Sequence, residues 1–332
     1  MQSIYDKCIL SMEATGSLIT INIDGKPLEK LIEVVSNGIG TLYRPRRIKK
    51  EAEAKAYAIK VLENAKALAG AEAKMIDVDT AERIGQRLVA QEMRRQNNID
   101  SVVEATAEEL RGKDVSDERV DIDWATRFFG IVQDVLDEEM KALWAKILAR
   151  EIERPNSFSI RTLNVVSMLS RKEAEVIGKM AQFVLYDHNS HDAYILNSKK
   201  IEEVNFNDVM LLMELGLLDS ASNLAITLEK NDTEYNNLLL VKNDIGLFIS
   251  TEQKQLFVHV YKFTNLGREI MHLADGAELN VKYVKEYAEN LIKGDNTMKV
   301  TCAPILKLED NDVELDEEKT FFRIGGKGDA EL

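Results

Sequence analysis

Hydrophobic and polar positions along this chain predict a mostly helical protein with one β-rich stretch. Leu28, Leu31, Ile32, Val35, Ile39 and Leu42 recur at helical spacing, which predicts an amphipathic helix over 28–42. Pro27 closes an Asp24-Gly25-Lys26-Pro27 turn and suits the first turn of that helix. Before it, the β-branched run SLITINI (17–23) reads as a strand or an ordered arm, so 1–26 is taken as an N-terminal arm. From Tyr43 the sequence YRPRRIKKEAEAKAYAIKVLENAKALAGAEAKM is rich in alanine and other helix formers, and a long helix is expected. It has few large apolar residues, so it is expected to lie against another long helix, against another chain, or partly in solvent. Asp79 and Thr80 are N-cap candidates for a further helix of about 30 residues, bearing Ile84, Leu88, Met93, Ile99, Val102 and Val103. Together, 27–111 reads as a long helical hairpin and oligomerisation region.

A polar stretch follows, and then four short amphipathic patterns. Asp123 is read as the cap of a helix with Trp124, Phe128, Phe129 and Val132. Asp137 caps one with Met140, Leu143, Trp144, Ile147, Leu148 and Ile152, which Pro155 stops. Ser157 opens a third, with Ile160, Leu163, Val166 and Leu169. Ser170 and Glu173 have the spacing of a capping box for a fourth, with Ala174, Ile177, Met180 and Phe183 inward. Short connections between such helices predict one compact bundle over 120–185, its large aromatics in the core. Beyond it, a helix over Asn207–Leu215 ends at Gly216. The runs LLLVK, IGLFI and QLFVHVYKF read as strands, the last two joined in a hairpin by Thr251-Glu252-Gln253-Lys254. NLGREIMHLA and a helix over 280–292 complete the texture of a winged-helix-like domain, 186–293. The acidic remainder, 294–332, is expected to be a mobile tail. The fold class is therefore mainly α, α+β overall.

Composition changes this picture little. The 332 residues are 45% hydrophobic and 30% charged, an ordinary balance for a chain with a sizeable core. A net charge of −14 disfavours general phosphate binding. Two distant cysteines, Cys8 and Cys302, form neither a disulfide framework nor a zinc spacing. No run of apolar residues is long enough to span a bilayer and no signal sequence is legible, so a cytoplasmic chain is expected.

The segment 123–175 resembles a bacterial and phage family known as a domain of unknown function, family 2806. The resemblance is carried by Asp123-Trp124, Arg127-Phe128-Phe129, Asp137-Glu138-Glu139-Met140, Leu143-Trp144-Ala145, Glu151, Pro155, Ser157-Phe158-Ser159 and Arg161-Thr162-Leu163. YRPRRIKKEAEAKA and RRQNNI match its upstream pattern, so the likeness covers about 28–185, and the later part only weakly. It implies no catalytic residue or cofactor. It does imply a setting, since similar helical modules occur in abortive-infection proteins, namely phage defence or phage–host conflict.

The chemistry-bearing residues add three open questions. Arg44, Arg46, Arg47, Lys49 and Lys50 form the strongest basic cluster, directly after the amphipathic helix. They suit anionic lipid at the face of the inner membrane, nucleic-acid phosphates, or acids on another segment or subunit. His188 and His191 flank a loop with Asp187 and Asp192, but a metal site needs three or four converging ligands. Asp123, Trp124, Phe128, Phe129, Trp144, Pro155 and Phe158 are the family-motif core, read as packing with a partner-binding hot spot as the alternative. The predicted recognition helix has Asp208 and Glu214 and no base, which disfavours DNA. No phosphate loop, nucleophile motif, metal site or cofactor site is legible. The expectation is a non-enzymatic interaction and assembly protein with a protein partner and a homo-oligomeric state. Membrane association and nucleic-acid binding are the alternatives.

Overall fold

A computed structural model describes residues 23, 25–41, 43, 78–197, 204–221, 224–229, 236–274, 276–309 and 312–325. Most of the expected arm, the first long helix of the expected hairpin and the whole basic run 44–50 lie outside them. The chain divides into two compact units, 1–158 and 159–332. That boundary falls inside the span expected to be one bundle: the first two short helices belong to one unit and the next two to the other.

Unit 1 has four described helices: α1 (Gly25–Ile39), α2 (Val78–Glu109), α3 (Ile122–Val132) and α4 (Glu138–Glu153). α1 begins within the expected turn, at a glycine with φ +67°, and stops three residues earlier than its apolar pattern. It packs on α3, while α2 packs on α4. Gly38 allows the first approach, because a Cβ there would stand 2.3 Å from Phe129 and 2.8 Å from the Ala125 carbonyl. Leu31, Val35, Val102, Leu110, Phe128, Trp144, Ile147 and Leu148 form the core, each contributing about 1.5–3 kcal/mol by burial. At 32 residues α2 is about 48 Å long. In its second half Asn98, Ile99, Val102, Val103, Thr106 and Ala107 are buried, whereas Ile84, Leu88 and Met93 nearer its start are exposed.

Unit 2 opens with α5 (Ile160–Met168) and α6 (Arg171–Met180) and then builds a nine-stranded antiparallel sheet. The strands are β1 (Val184–Asp187), β2 (Ala193–Leu196), β3 (Leu224–Glu229), β4 (Asn236–Lys242), β5 (Ile245–Thr251), β6 (Gln255–Lys262), β7 (Lys299–Glu309), β8 (Asp312–Leu315) and β9 (Phe322–Gly325). Their spatial order is β3-β6-β2-β1-β4-β5-β7-β8, with β9 also on β7. Helix α7 (Phe206–Glu214) lies between β2 and β3 in sequence. Helices α8 (Asn265–Met271) and α9 (Val281–Leu291) lie between β6 and β7. The inner face of α9 presents Tyr283, Val284, Tyr287 and Ala288. The Tyr283 hydroxyl accepts from the Leu196 N–H at 2.5 Å and donates to the Leu196 carbonyl at 3.1 Å, at the end of β2.

Three expectations need correction. The mainly-α description understates a sheet this large, and a sheet of nine strands is far more than a wing. Second, β5 and β6 are not a hairpin. β5 lies between β4 and β7, and β6 between β2 and β3. The turn joining them is a crossover, held where the Asn236 amide donates to the carbonyls of Gln253 (2.8 Å) and Lys254 (3.1 Å). β5 instead forms its hairpin with β4, turned at Asn243 with φ +55°. Third, residues 299–325 belong to the sheet. Val300, Cys302 and Ala303 in β7 are fully buried, and β7 pairs with β5 over Lys299–Pro304. The acids of this segment crowd 309–318, after the buried stretch, and they mask its apolar alternation in any average over the tail.

Candidate functional site

The family-motif residues of unit 1 come together around one loop, the break after α4. Asp121 caps α3, accepting from the Trp124 N–H at 2.8 Å; Asp123, the expected cap, is exposed in the first turn. Trp124 stacks on Phe128 at 5.2 Å between ring centroids, and Phe128 meets Phe129 and Trp144 edge-on at 5.1 and 5.5 Å. Asp137 caps α4 as expected, accepting from the Met140 N–H. α4 ends at Glu153, two residues before Pro155.

The loop Pro155–Phe158 is held by two side chains, those of Glu151 and Trp124. Glu151 is 2% exposed, and its carboxylate accepts from the backbone N–H groups of Asn156 (2.7 Å) and Phe158 (3.0 Å). The Trp124 indole N–H donates to the Phe158 carbonyl at 2.8 Å. Asn156 takes a positive φ of 70°, a conformation that asparagine tolerates, and the Ser157 hydroxyl closes back on the Arg154 carbonyl. Asp137, Glu151, Ser157 and the Trp124 indole thus end on backbone, Glu138 pairs with Lys141, Asp123 and Arg127 are exposed, and the motif's aromatic rings end in the core. Trp144 is fully buried, and its indole N–H has no hydrogen-bond acceptor among the described residues.

Residues of the upstream run RRQNNI are engaged by carboxylates and by one backbone carbonyl. Arg95 makes a two-pronged contact with Asp134 at 2.9 and 3.1 Å, and Asn98 donates to the Gln133 carbonyl at 2.8 Å. Gln96 and the Tyr43 hydroxyl both donate to Asp100, at 2.9 and 3.0 Å. Burial, and then the adjoining Asp100 carboxylate, push the Tyr43 hydroxyl well above the ordinary tyrosine value. Arg44, Arg46, Arg47, Lys49 and Lys50 follow this anchored tyrosine but lie outside the described residues. The lipid-anchor reading also needs the apolar face of α1. Leu31, Val34 and Val35 on that face are buried in unit 1.

In unit 2 the His-Asp loop is a turn with its acids engaged. Asp187 accepts from the N–H groups of Asn189 and Ser190, and Asp192 meets Lys262 at 2.6 Å, the Tyr194 hydroxyl at 3.3 Å and Arg268 at 3.9 Å. Burial works against the Asp192 carboxylate, but its cationic and hydroxyl neighbours outweigh that and hold it below the usual value. Among the described residues no three His, Cys, Asp or Glu side chains gather as a metal would require. The Cys302 thiol is pushed up to about 12 by burial. Sequence reasoning missed Glu269, whose carboxylate accepts from the Ser159 N–H (2.7 Å) and the Thr162 hydroxyl (2.5 Å) and so fixes the start of α5. Ser159, not Ser157, is the cap of that helix.

This geometry defines a class: an α+β protein of two units, one helical and one built on an antiparallel sheet, with its most distinctive residues committed to structure. The family model described as "Protein of unknown function (DUF2806)" matches residues 82–291, and the chain belongs to that family. The match starts within α2 and runs through β1–β6 to the end of α9. It reaches further into the sheet unit than the expected likeness over 28–185 and leaves YRPRRIKKEAEAKA outside. No curated protein and no solved structure matches the chain. No helix among the described residues is long and apolar enough to cross a membrane.

Proposed function

We propose that this protein works by assembly, as a self-associating interaction protein with no chemical step of its own. The observation that carries this reading is the outer half of α2. Between Arg83 and Arg94 it leaves Ile84 37%, Leu88 47% and Met93 47% exposed, three large apolar side chains within ten residues of one helix. Scattered apolar residues on a surface are ordinary, but three exposed within ten residues of one helix suit contact with another chain. The commitment of Asp137, Glu151 and the Trp124 indole to backbone groups agrees with a scaffold. The likeness to abortive-infection modules makes phage–host conflict the proposed setting.

Sedimentation velocity on the full chain at micromolar concentration tests the reading. The expected particle exceeds the mass of one chain, and replacing Ile84 and Leu88 together by Glu weakens association by about tenfold or more, the effect of placing charge in a buried apolar contact. A wild-type chain that stays a compact monomer at every concentration overturns it.

A further inference from the structure

We propose that the face of α2 turned away from the unit 1 core is a phosphate-binding face for duplex nucleic acid. It goes beyond the assembly reading and uses other side chains, since neither Ile84 nor Leu88 lies on it.

At about 3.6 residues per turn, Arg83, Arg87 and Arg94 fall within about 40° of one another round the helix axis and span about 16 Å along it. Gln86, Ala90 and Asn97 lie beside them on the same face, and all six are exposed. The face stands roughly opposite the buried Ile99 and Val103, so the packing that holds α2 in unit 1 also turns these side chains to solvent. Ile84 and Leu88 sit about a quarter to a third of a turn away.

Charge sets this face apart. Between Arg83 and Ser101 the only acids are Glu92 and Asp100. Both lie off the face and both are engaged: Glu92 pairs with Arg95 at 3.1 Å, and Asp100 accepts from Gln96 and from the Tyr43 hydroxyl. Arg83 donates to the neutral Thr80 hydroxyl at 3.0 Å. Arg87 makes no ion pair with a described residue, and Arg94 acts on Asp134 through its charge alone. Acid returns only with Glu104 and Glu108, of which Glu108 is paired with Arg111. In a chain of net charge −14 this is a local reversal of sign. Acids elsewhere on the surface weigh little on a direct contact, because the Debye length at physiological salt is about 8 Å.

The side-chain types say what the face accepts. A nucleic-acid duplex carries one negative charge per about 1.7 Å of its axis, so about nine lie along the span of the three arginines. The guanidinium fork binds a phosphate through two parallel hydrogen bonds. Gln86 and Asn97 add neutral donors of the kind that also meet phosphate and sugar oxygens. An anionic lipid surface fits less well, because an interfacial helix buries large apolar side chains, and Ala90 is the one apolar residue among these cations.

Fluorescence anisotropy of the full chain with labelled DNA and RNA duplexes of random sequence tests this. Micromolar binding is expected at about 50 mM salt, weakening about fortyfold by about 200 mM if three phosphates are neutralised. Replacing Arg87 and Arg94 together by Gln, a good helix former, is expected to leave far-UV circular dichroism unchanged. Duplex binding should weaken about tenfold or more, and its remaining salt dependence over that range should fall to about fourfold. Lys254→Gln with Lys285→Gln removes the same charge from exposed positions of unit 2 and is expected to change binding by less than about twofold. No binding to either duplex at low salt, or an α2 variant that binds no more weakly than this control, overturns the proposal. Flotation with phosphatidylserine vesicles that the α2 variant abolishes, without duplex binding, overturns it in favour of a lipid surface.

Discussion

The two units are held together in different ways. In unit 1 the residues that fix the fold lie close in sequence: Asp121, Trp124, Phe128, Trp144, Glu151 and Phe158 fall within two consecutive helices and the loop after them, and their contacts close that segment on itself. In unit 2 the contacts that matter join distant segments. β6 lies between β2 and β3, β5 between β4 and β7, and Tyr283 of α9 ties off β2. A local design leaves a readable motif in the sequence. A non-local one leaves only strands of the right texture, with the order unspecified.

The sharpest break between the two should come from cutting the chain after Gly294. This removes β7, β8 and β9, with Val300, Cys302 and Ala303 fully buried in the sheet. The loss is expected to exceed the whole stability of a typical domain, about 5–15 kcal/mol. Unit 2 should become protease-sensitive, while unit 1 yields a resistant fragment ending near Phe158. A truncated chain that keeps its full strand signal in circular dichroism would show that β7 is dispensable and that the tail belongs outside the sheet after all.

A smaller effect compares the carboxylate clamps that each unit uses. Glu151→Ala strands the buried N–H groups of Asn156 and Phe158, and is expected to cost about 2–4 kcal/mol in urea unfolding. Glu269→Ala in unit 2 releases the Ser159 N–H and the Thr162 hydroxyl from a half-buried acceptor, for about 1–2 kcal/mol. Equal losses would mean that the loop after α4 is no more dependent on its carboxylate than the start of α5.

This contrast also explains what was legible. The capping box at Ser170 and Glu173, the cap at Asp137 and the burial of both tryptophans followed from spacing, because each is decided within one helix or its neighbour. Glu151 stood among the motif residues without a role, since nothing local shows that a carboxylate at the end of α4 turns back to a loop. The β5–β6 link looked like a hairpin because a four-residue polar turn between two apolar runs ordinarily makes one. What decides otherwise is the competition of β7 for one edge of β5 and of β2 and β3 for β6, which no window of sequence contains.

The two tryptophans offer a third comparison, inside unit 1. Trp124→Phe removes the donor to the Phe158 carbonyl as well as volume, whereas Trp144→Phe removes volume and an indole N–H that had no acceptor among the described residues. The first is expected to cost about 1–2 kcal/mol more than the second. Each variant retains the other tryptophan as a fluorescent probe of unfolding. If Trp144→Phe proves the more damaging, packing outweighs the hydrogen bond at this core.

The smallest effect concerns pH, and it asks whether the units respond alike to acid. The hydrogen bond from Arg95 holds Asp134 of unit 1 below the usual carboxylate value. In unit 2, Asp192 is held below it although burial works the other way, by Lys262, Tyr194 and Arg268 together. A depressed folded pKa stabilises above the unfolded value of about 3.9, and that contribution fades as pH falls through the folded pKa. Both units should therefore lose stability only below about pH 4. Asp134 is half exposed, so solvent screening leaves its pair with Arg95 worth little. Asp192 is the more enclosed of the two, at 26% exposure against 50%. Asp192→Asn should therefore lower the midpoint of unit 2 at pH 6 and converge with wild type near pH 3, while Asp134→Asn barely moves unit 1 at either pH. A gap between Asp192→Asn and wild type that stays constant from pH 6 to pH 3 would assign the loss to the altered turn between β1 and β2, with the carboxylate's charge playing no part.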